Sequence, residues 1–354
     1  MATLESQPPV RIGRTQTIID AAKTAYFLVN NQIKIKPGDE VLIACDTMTE
    51  LEILQSLAGA IQAAGAEFTI CMQPSRSPKD AAKLTKIIQR GAGAADVYIS
   101  WSNSCGATLY SQRERKEGQR WFAAPMRTLE VYLGPAATSN YQYISDICER
   151  LQKMLEGTKT IRFTSEIGTD MVLDVTGMPW EVEDGGIRGP ICFGDGEVFT
   201  SHTGHSADGT LYIDGPLAYI GVPDEPIKLT VNKGWITKIE GGRAAARLRR
   251  VFAEVSNSNY LCEFAIGVNP WARRSRFFEE EKKGLSNIHT AYGALQRFFR
   301  PYIEKNLGTT ALQKRLPGIH ADMVSYDLTI WADKKLIEDK GKPMGDWWYP
   351  PPEK

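Results

Sequence analysis

The chain has 354 residues, and its 42 Lys plus Arg equal its 42 Asp plus Glu. A neutral chain without a basic block lacks the electrostatic footprint of a nucleic-acid binder. No run of about 18 apolar residues marks a membrane span, and the first thirty residues have no basic segment leading into an apolar one, so neither membrane nor secretory signal is expected and the chain reads as cytoplasmic.

In chain order, Gln16 to Asn31 has apolar residues at helical spacing (Ile18, Ile19, Ala22, Tyr26, Phe27), which predicts an amphipathic helix. After the Lys36–Asp39 turn, Glu40–Cys45 is nearly all apolar, as expected for a strand buried on both faces of a parallel sheet. Thr49 to Ala64 predicts a helix stopped by Gly65, Phe68–Met72 a strand, Pro78 to Gly91 a helix, and Val97–Trp101 a third strand. Strand and helix alternating in this way predict a doubly wound α/β domain over residues 1–155. That domain has no dinucleotide fingerprint. Asp46-Thr47-Met48-Thr49 follows the first strand without a glycine, and Gly91-Ala92-Gly93 precedes a strand instead of following one.

Past residue 155 the rhythm changes. Thr160–Thr164 and Asp170–Val175 alternate as one-face-exposed strands do. Gly209–Asp214 and Ile227–Val231 continue the pattern, and Asn232-Lys233-Gly234 predicts a hairpin into Trp235–Ile239. Gly242 to Ser256 is an Ala- and Arg-rich helix. Residues 156–354 are therefore expected to form an α+β domain of antiparallel strands that carries a metal site. The tail Trp347-Trp348-Tyr349-Pro350-Pro351-Pro352 is expected to pack on the body or on a partner subunit.

The six cysteines, Cys45, Cys71, Cys105, Cys148, Cys192 and Cys262, form no C-x-x-C pair and read as buried reduced thiols. The four histidines, His202, His205, His289 and His320, all lie after residue 200, so imidazole chemistry belongs to that half. Four segments there attract notice. Glu197 opens Glu197-Val198-Phe199-Thr200. Glu263 stands in an apolar run before Gly267-Val268-Asn269-Pro270, where a carboxylate is costly unless paired. Glu281-Lys282-Lys283-Gly284 leads to His289, which taken alone reads as a core histidine. His320 and Asp322 fall on one face of a strand by its period of two. Three carboxylates and two imidazoles suit Zn, Co, Mn or Fe, and five protein ligands are enough for two metal ions.

In order and wording these segments resemble the aminopeptidase T class of metallopeptidases. The resemblance implies that Glu197, Glu263, His289, His320 and Asp322 surround two divalent ions, and that the protein is a homodimer. The same superfamily is similar to 2,5-dihydroxypyridine 5,6-dioxygenase, a ring-opening iron enzyme whose metal is held by two histidines and an aspartate. Its His-x-Asp pair matches His320 and Asp322, its other histidine falls where this chain has Glu263, and it lacks a counterpart of Glu197. Length favours that branch, whereas the ligand set favours the hydrolases. The expectation is a metallohydrolase of aminopeptidase or small-amide type holding two Zn, Co or Mn ions, with Glu281 shuttling protons and a short peptide or small molecule as substrate. The alternative is a dioxygenase holding one Fe(II), with His202 and His205 as acid–base groups beside the ring. Arg273, Arg274 and Arg276 could hold a substrate carboxylate or be surface arginines.

Overall fold

The computed structural model describes residues 14–81, 83–101, 117–124, 128–188 and 191–352. Its first part is a parallel sheet. Strands β1 (Glu40–Asp46), β2 (Glu67–Gln73), β3 (Val97–Trp101) and β4 (Arg120–Ala123) pair in the order β2-β1-β3-β4. Alternate residues of β1 serve the two faces. Val41, Ile43 and Cys45 join a core with helices α1 (Arg14–Phe27) and α2 (Leu51–Ala63), while Leu42 and Ala44 meet α3 (Lys86–Ala94) on the other side. Helices on both faces make this layer doubly wound.

Two local expectations are corrected. Helix α1 buries its small residues, Ala21, Thr24 and Ala25, and leaves Ile18, Ile19, Ala22 and Tyr26 exposed. The small face admits α2 at close range, which the larger residues would prevent. Helix α3 begins at Lys86, not at Pro78, because the Thr85 hydroxyl caps the Ile88 amide. Pro78–Asp80 forms a separate 3-10 turn.

The next elements are α4 (Leu129–Tyr132) and α5 (Tyr141–Leu155). The chain then builds β5 (Thr160–Thr164), β6 (Asp170–Asp174), β7 (Glu181–Glu183), β8 (Ile191–Cys192), β9 (Glu197–Thr200), β10 (Ala207–Ile213), β11 (Ile227–Asn232) and β12 (Trp235–Glu240). After α6 (Arg243–Glu254) come β13 (Leu261–Gly267), the short α7 (Phe278–Glu281), β14 (Ile288–Gly293), β15 (His320–Ser325), β16 (Thr329–Ala332), β17 (Lys335–Asp339) and β18 (Lys342–Pro343). Apart from β8, these strands form two antiparallel sheets, ordered β12-β11-β10-β6-β5-β16-β17-β18 and β15-β14-β13-β9-β7. One large apolar core joins both sheets with α5 and α6. The hairpin expected at residues 232–234 is present: Lys233 and Gly234 both have positive φ, the combination a type I′ turn requires.

The two parts interleave in sequence on either side of residue 155. Helix α5 packs into the second core, and β8 returns to pair in parallel with β4. The return matters for the site, because Asp195 and Glu197 follow directly on it. The C-terminal tail packs on the body. Trp347 is buried, its indole N–H donates to the Ile337 carbonyl, and the Tyr349 hydroxyl donates to Asp146 on α5. No helix among the described residues is long and apolar enough to cross a membrane.

Candidate metal centre

Strand register places all five predicted ligands on one face of one sheet. Across β13 and β9, Gly267 lies opposite Glu197; across β13 and β14, Ala265 lies opposite His289 and Glu263 opposite Ala291. Across β14 and β15, Ala291 lies opposite Asp322 and Gly293 opposite His320. Directly opposed residues of an antiparallel pair point the same way. Glu197, Glu263, His289, His320 and Asp322 therefore share a face with Ala265, Gly267, Ala291 and Gly293. The two glycines among them admit backbone at close range, the Gly284 carbonyl over Gly267 and the Ile319 carbonyl over Gly293. The opposite face carries Val198, Phe264, Ile266, Ile288, Tyr292 and Met323 into the apolar core.

The five side chains form two triangles with a common corner. His289 Nε2 lies 3.3 Å from Glu263 Oε1 and 3.4 Å from Glu197 Oε2. His320 Nε2 lies 3.6 Å from Glu263 Oε2 and 3.3 Å from Asp322 Oδ1. Glu263 thus turns one oxygen to each triangle, and within each triangle the donor atoms lie within 4.8 Å of one another.

Three of these inward-facing oxygens, Glu197 Oε2, Glu263 Oε2 and Asp322 Oδ1, are buried without a hydrogen-bond partner. A buried carboxylate oxygen left unpaired is costly, and a cation between the corners removes that cost. Both imidazoles are preset for the role. His289 Nδ1–H donates to the Lys282 carbonyl at 3.2 Å, and His320 Nδ1–H donates to the Ala294 carbonyl at 2.8 Å. Each Nε2 lone pair therefore faces its triangle. The donor set, two imidazoles and three carboxylates, fits a divalent metal, which these five residues would hold.

The charged run before His289 is buried, not solvated as a run of this composition usually is. Glu280, Glu281 and Lys283 are 1%, 1% and 2% exposed. Lys283 Nζ lies 2.8 Å from Glu197 Oε1, 3.4 Å from Asp195 Oδ1, and in contact with Glu183 Oε2. Lys282 Nζ lies 2.8 Å from Asp322 Oδ2. Burial disfavours the Lys283 ammonium, but Glu183, Glu197 and Asp195 outweigh it and hold its pKa well above the ordinary lysine value. Burial likewise raises Asp322, yet Lys282 and His320 keep it well below the carboxylate range. Burial raises the pKa of Asp195 well above that range despite Lys283, and raises Glu197 as well. Glu183 and Asp195 were not singled out in the sequence, and Lys282 and Lys283 only as part of the segment that leads to His289. The one local signal is that Lys283 runs straight into Gly284 and a buried stretch.

The three predicted catalytic residues are not among the donors of the triangles. Glu281 accepts from the Arg276 amide and the Tyr326 hydroxyl, and no described contact joins it to the triangles. His202 is buried with both ring nitrogens on backbone: Nε2–H donates to the Leu261 carbonyl at 2.9 Å, and Nδ1 accepts from the Gly204 and Ser206 amides. Burial lowers its pKa to about 4. His205 is exposed. Arg273 pairs with Glu280 at 3.0 Å, and Arg274 pairs with Asp327 at 2.7 Å while covering the Tyr326 ring. Cys45, Cys71, Cys148, Cys192 and Cys262 form no disulfide, and Cys105 lies outside the described residues.

The fold is similar to that of two solved enzymes. A 2,5-dihydroxypyridine dioxygenase from Pseudomonas putida KT2440 superposes with a TM-score of 0.70 at 17% identity, covering 93% of this chain and 98% of that one. AmpT from Thermus thermophilus superposes with a TM-score of 0.63 at 15% identity, covering 92% and 99%. A comparison with curated protein sequences gives no match. The family model described as 2,5-dihydroxypyridine 5,6-dioxygenase matches residues 24–344, and the chain belongs to that family, NicX.

Proposed function

We propose that the protein is a metal-dependent hydrolase of small amides or peptide N-termini, working with two divalent ions held by Glu197, Glu263, His289, His320 and Asp322. The observation that carries this reading is the pair of triangles joined at Glu263. Each has one imidazole and two carboxylates, and neither is the two-histidine, one-carboxylate face that suits a lone Fe(II). When bound, two such ions supply an acidified water as nucleophile and a Lewis acid for the scissile carbonyl. The chain's own residues hold the donor atoms in place: Lys283 and Lys282 each bond one oxygen of a terminal carboxylate, and two backbone carbonyls fix the imidazoles.

A second reading, ring cleavage by one Fe(II), is favoured by the family to which the chain belongs. Its metal would rest on His320, Asp322 and either Glu263 or His289. Metal content of protein purified anaerobically without chelators decides between the two. Close to two zinc, cobalt or manganese ions per chain supports the hydrolase, with aminoacyl and small-amide substrates to be screened next. Close to one iron per chain, with oxygen uptake on dihydroxypyridines, overturns it.

A further inference from the structure

Lys282 and Lys283 are adjacent in sequence, yet their ammonium groups go to opposite ends of the ligand set. Lys283 meets three carboxylate oxygens, from Glu197, Asp195 and Glu183, which matches the three N–H bonds it can donate. Lys282 meets Asp322. In each case the lysine takes the outer oxygen of a terminal ligand. The other oxygen, Glu197 Oε2 or Asp322 Oδ1, is left buried, without a hydrogen bond and facing an imidazole.

The segment that carries them is fixed in place. The Asn269 amide donates to the Lys283 carbonyl at 2.9 Å, and the Asn287 side chain donates to the Glu281 carbonyl at 2.8 Å. The segment lies directly on Gly267, where any side chain would collide with the Gly284 carbonyl 2.2 Å away. The Lys282 carbonyl also sets the His289 tautomer. A buried ammonium group such as that of Lys283, and the partly buried one of Lys282, are costly unless paired, so their arrangement calls for a specific role.

We propose that Lys282 and Lys283 are positioning residues with divided duties: Lys283 fixes the Glu197 carboxylate for the ion shared with His289, and Lys282 fixes the Asp322 carboxylate for the ion shared with His320. Each lysine restricts its carboxylate to one donor oxygen and sets where that oxygen points. Groups behind metal ligands commonly change ion affinity about 10–100-fold. The proposal rests on the two-ion reading above.

The test is calorimetric titration of metal-free protein with zinc, together with ion counts after desalting, on the wild type, Lys283→Met and Lys282→Met. Each variant is expected to bind one ion with near wild-type affinity and the other about 10–100-fold more weakly. Combined substitutions assign the ion. Lys283→Met should add little to Glu197→Gln but add fully to Asp322→Asn, and Lys282→Met should show the reverse pattern. If Lys283→Met alone does not fold, Lys283→Met with Glu183→Gln relieves one stranded carboxylate and serves in its place. Unchanged affinities, or equal weakening of both ions by either lysine variant, would overturn the division of duties while leaving the two-ion reading intact. A wild type that binds a single ion overturns both.

Discussion

At Glu197 one carboxylate oxygen is held by Lys283 and the other faces His289 across 3.4 Å. Glu197→Gln keeps the shape but removes the charge at that corner. The expected result is loss of one of two bound ions and a fall in hydrolytic activity of at least about a hundredfold. Full activity with the ion count unchanged would show that the two-ion mechanism is wrong. His202 makes a different prediction. Its folded pKa of about 4 lies below the ordinary 6.5, so the unfolded chain takes up a proton first as pH falls. Its contribution is intact above about pH 6.5 and is lost toward pH 4, by about 3 kcal/mol. Urea unfolding across that range checks this, and His202→Gln, which can still donate to Leu261, should flatten the dependence. A slope unchanged in that variant would assign the acid sensitivity to other groups.

Among the elements, the turn after β13 does the most joining. The Asn269 side-chain amide donates to Gly194 O at 3.0 Å, Asp195 O at 2.8 Å and Ser139 Oγ at 3.0 Å, and its oxygen accepts from the Trp271 amide. It thereby ties the end of β13 to the segment from which β9 starts. Asn269→Ala is expected to destabilise the fold by about 2–3 kcal/mol, since buried partners are left unmatched, and to weaken the ion shared by Glu197 and His289 more than the other. Denaturation midpoints and metal titration measure the two effects. Much of this level can be read from the amino acids. The apolar Glu40–Cys45 run specifies a strand buried on both faces, and the spacing of His320 and Asp322 specifies a shared strand face. The face that α1 buries could not be read, because α2 is admitted by Ala21 and Ala25 instead of being met by Ile18 and Tyr26. Nor could the burial of Lys283, since its three carboxylate partners lie 86 or more residues upstream and only strand pairing brings them together. Composition alone describes residues 279–283 as a solvated run.

For the molecule as a whole, removal of metal should lower stability in proportion to the ions lost. Binding to the native state alone adds about 4 kcal/mol per ion at free concentrations a thousand times the dissociation constant. Melting temperature should therefore fall on dialysis against a chelator and recover when zinc or cobalt is returned; no change in either direction would mean that the triangles hold no ion. The triangles draw donors from β9, β13, β14 and β15, four consecutive neighbours of one sheet. Two ions joined through Glu263 would cross-link that sheet transversely, independently of its backbone hydrogen bonds, and pin together positions as far apart in the chain as Glu197 and Asp322. Sub-global opening of any one of those strands would then require release of an ion. Amide hydrogens across all four strands should exchange at a common, slowed rate in the loaded protein, and should separate into faster and slower groups once the ions are withdrawn.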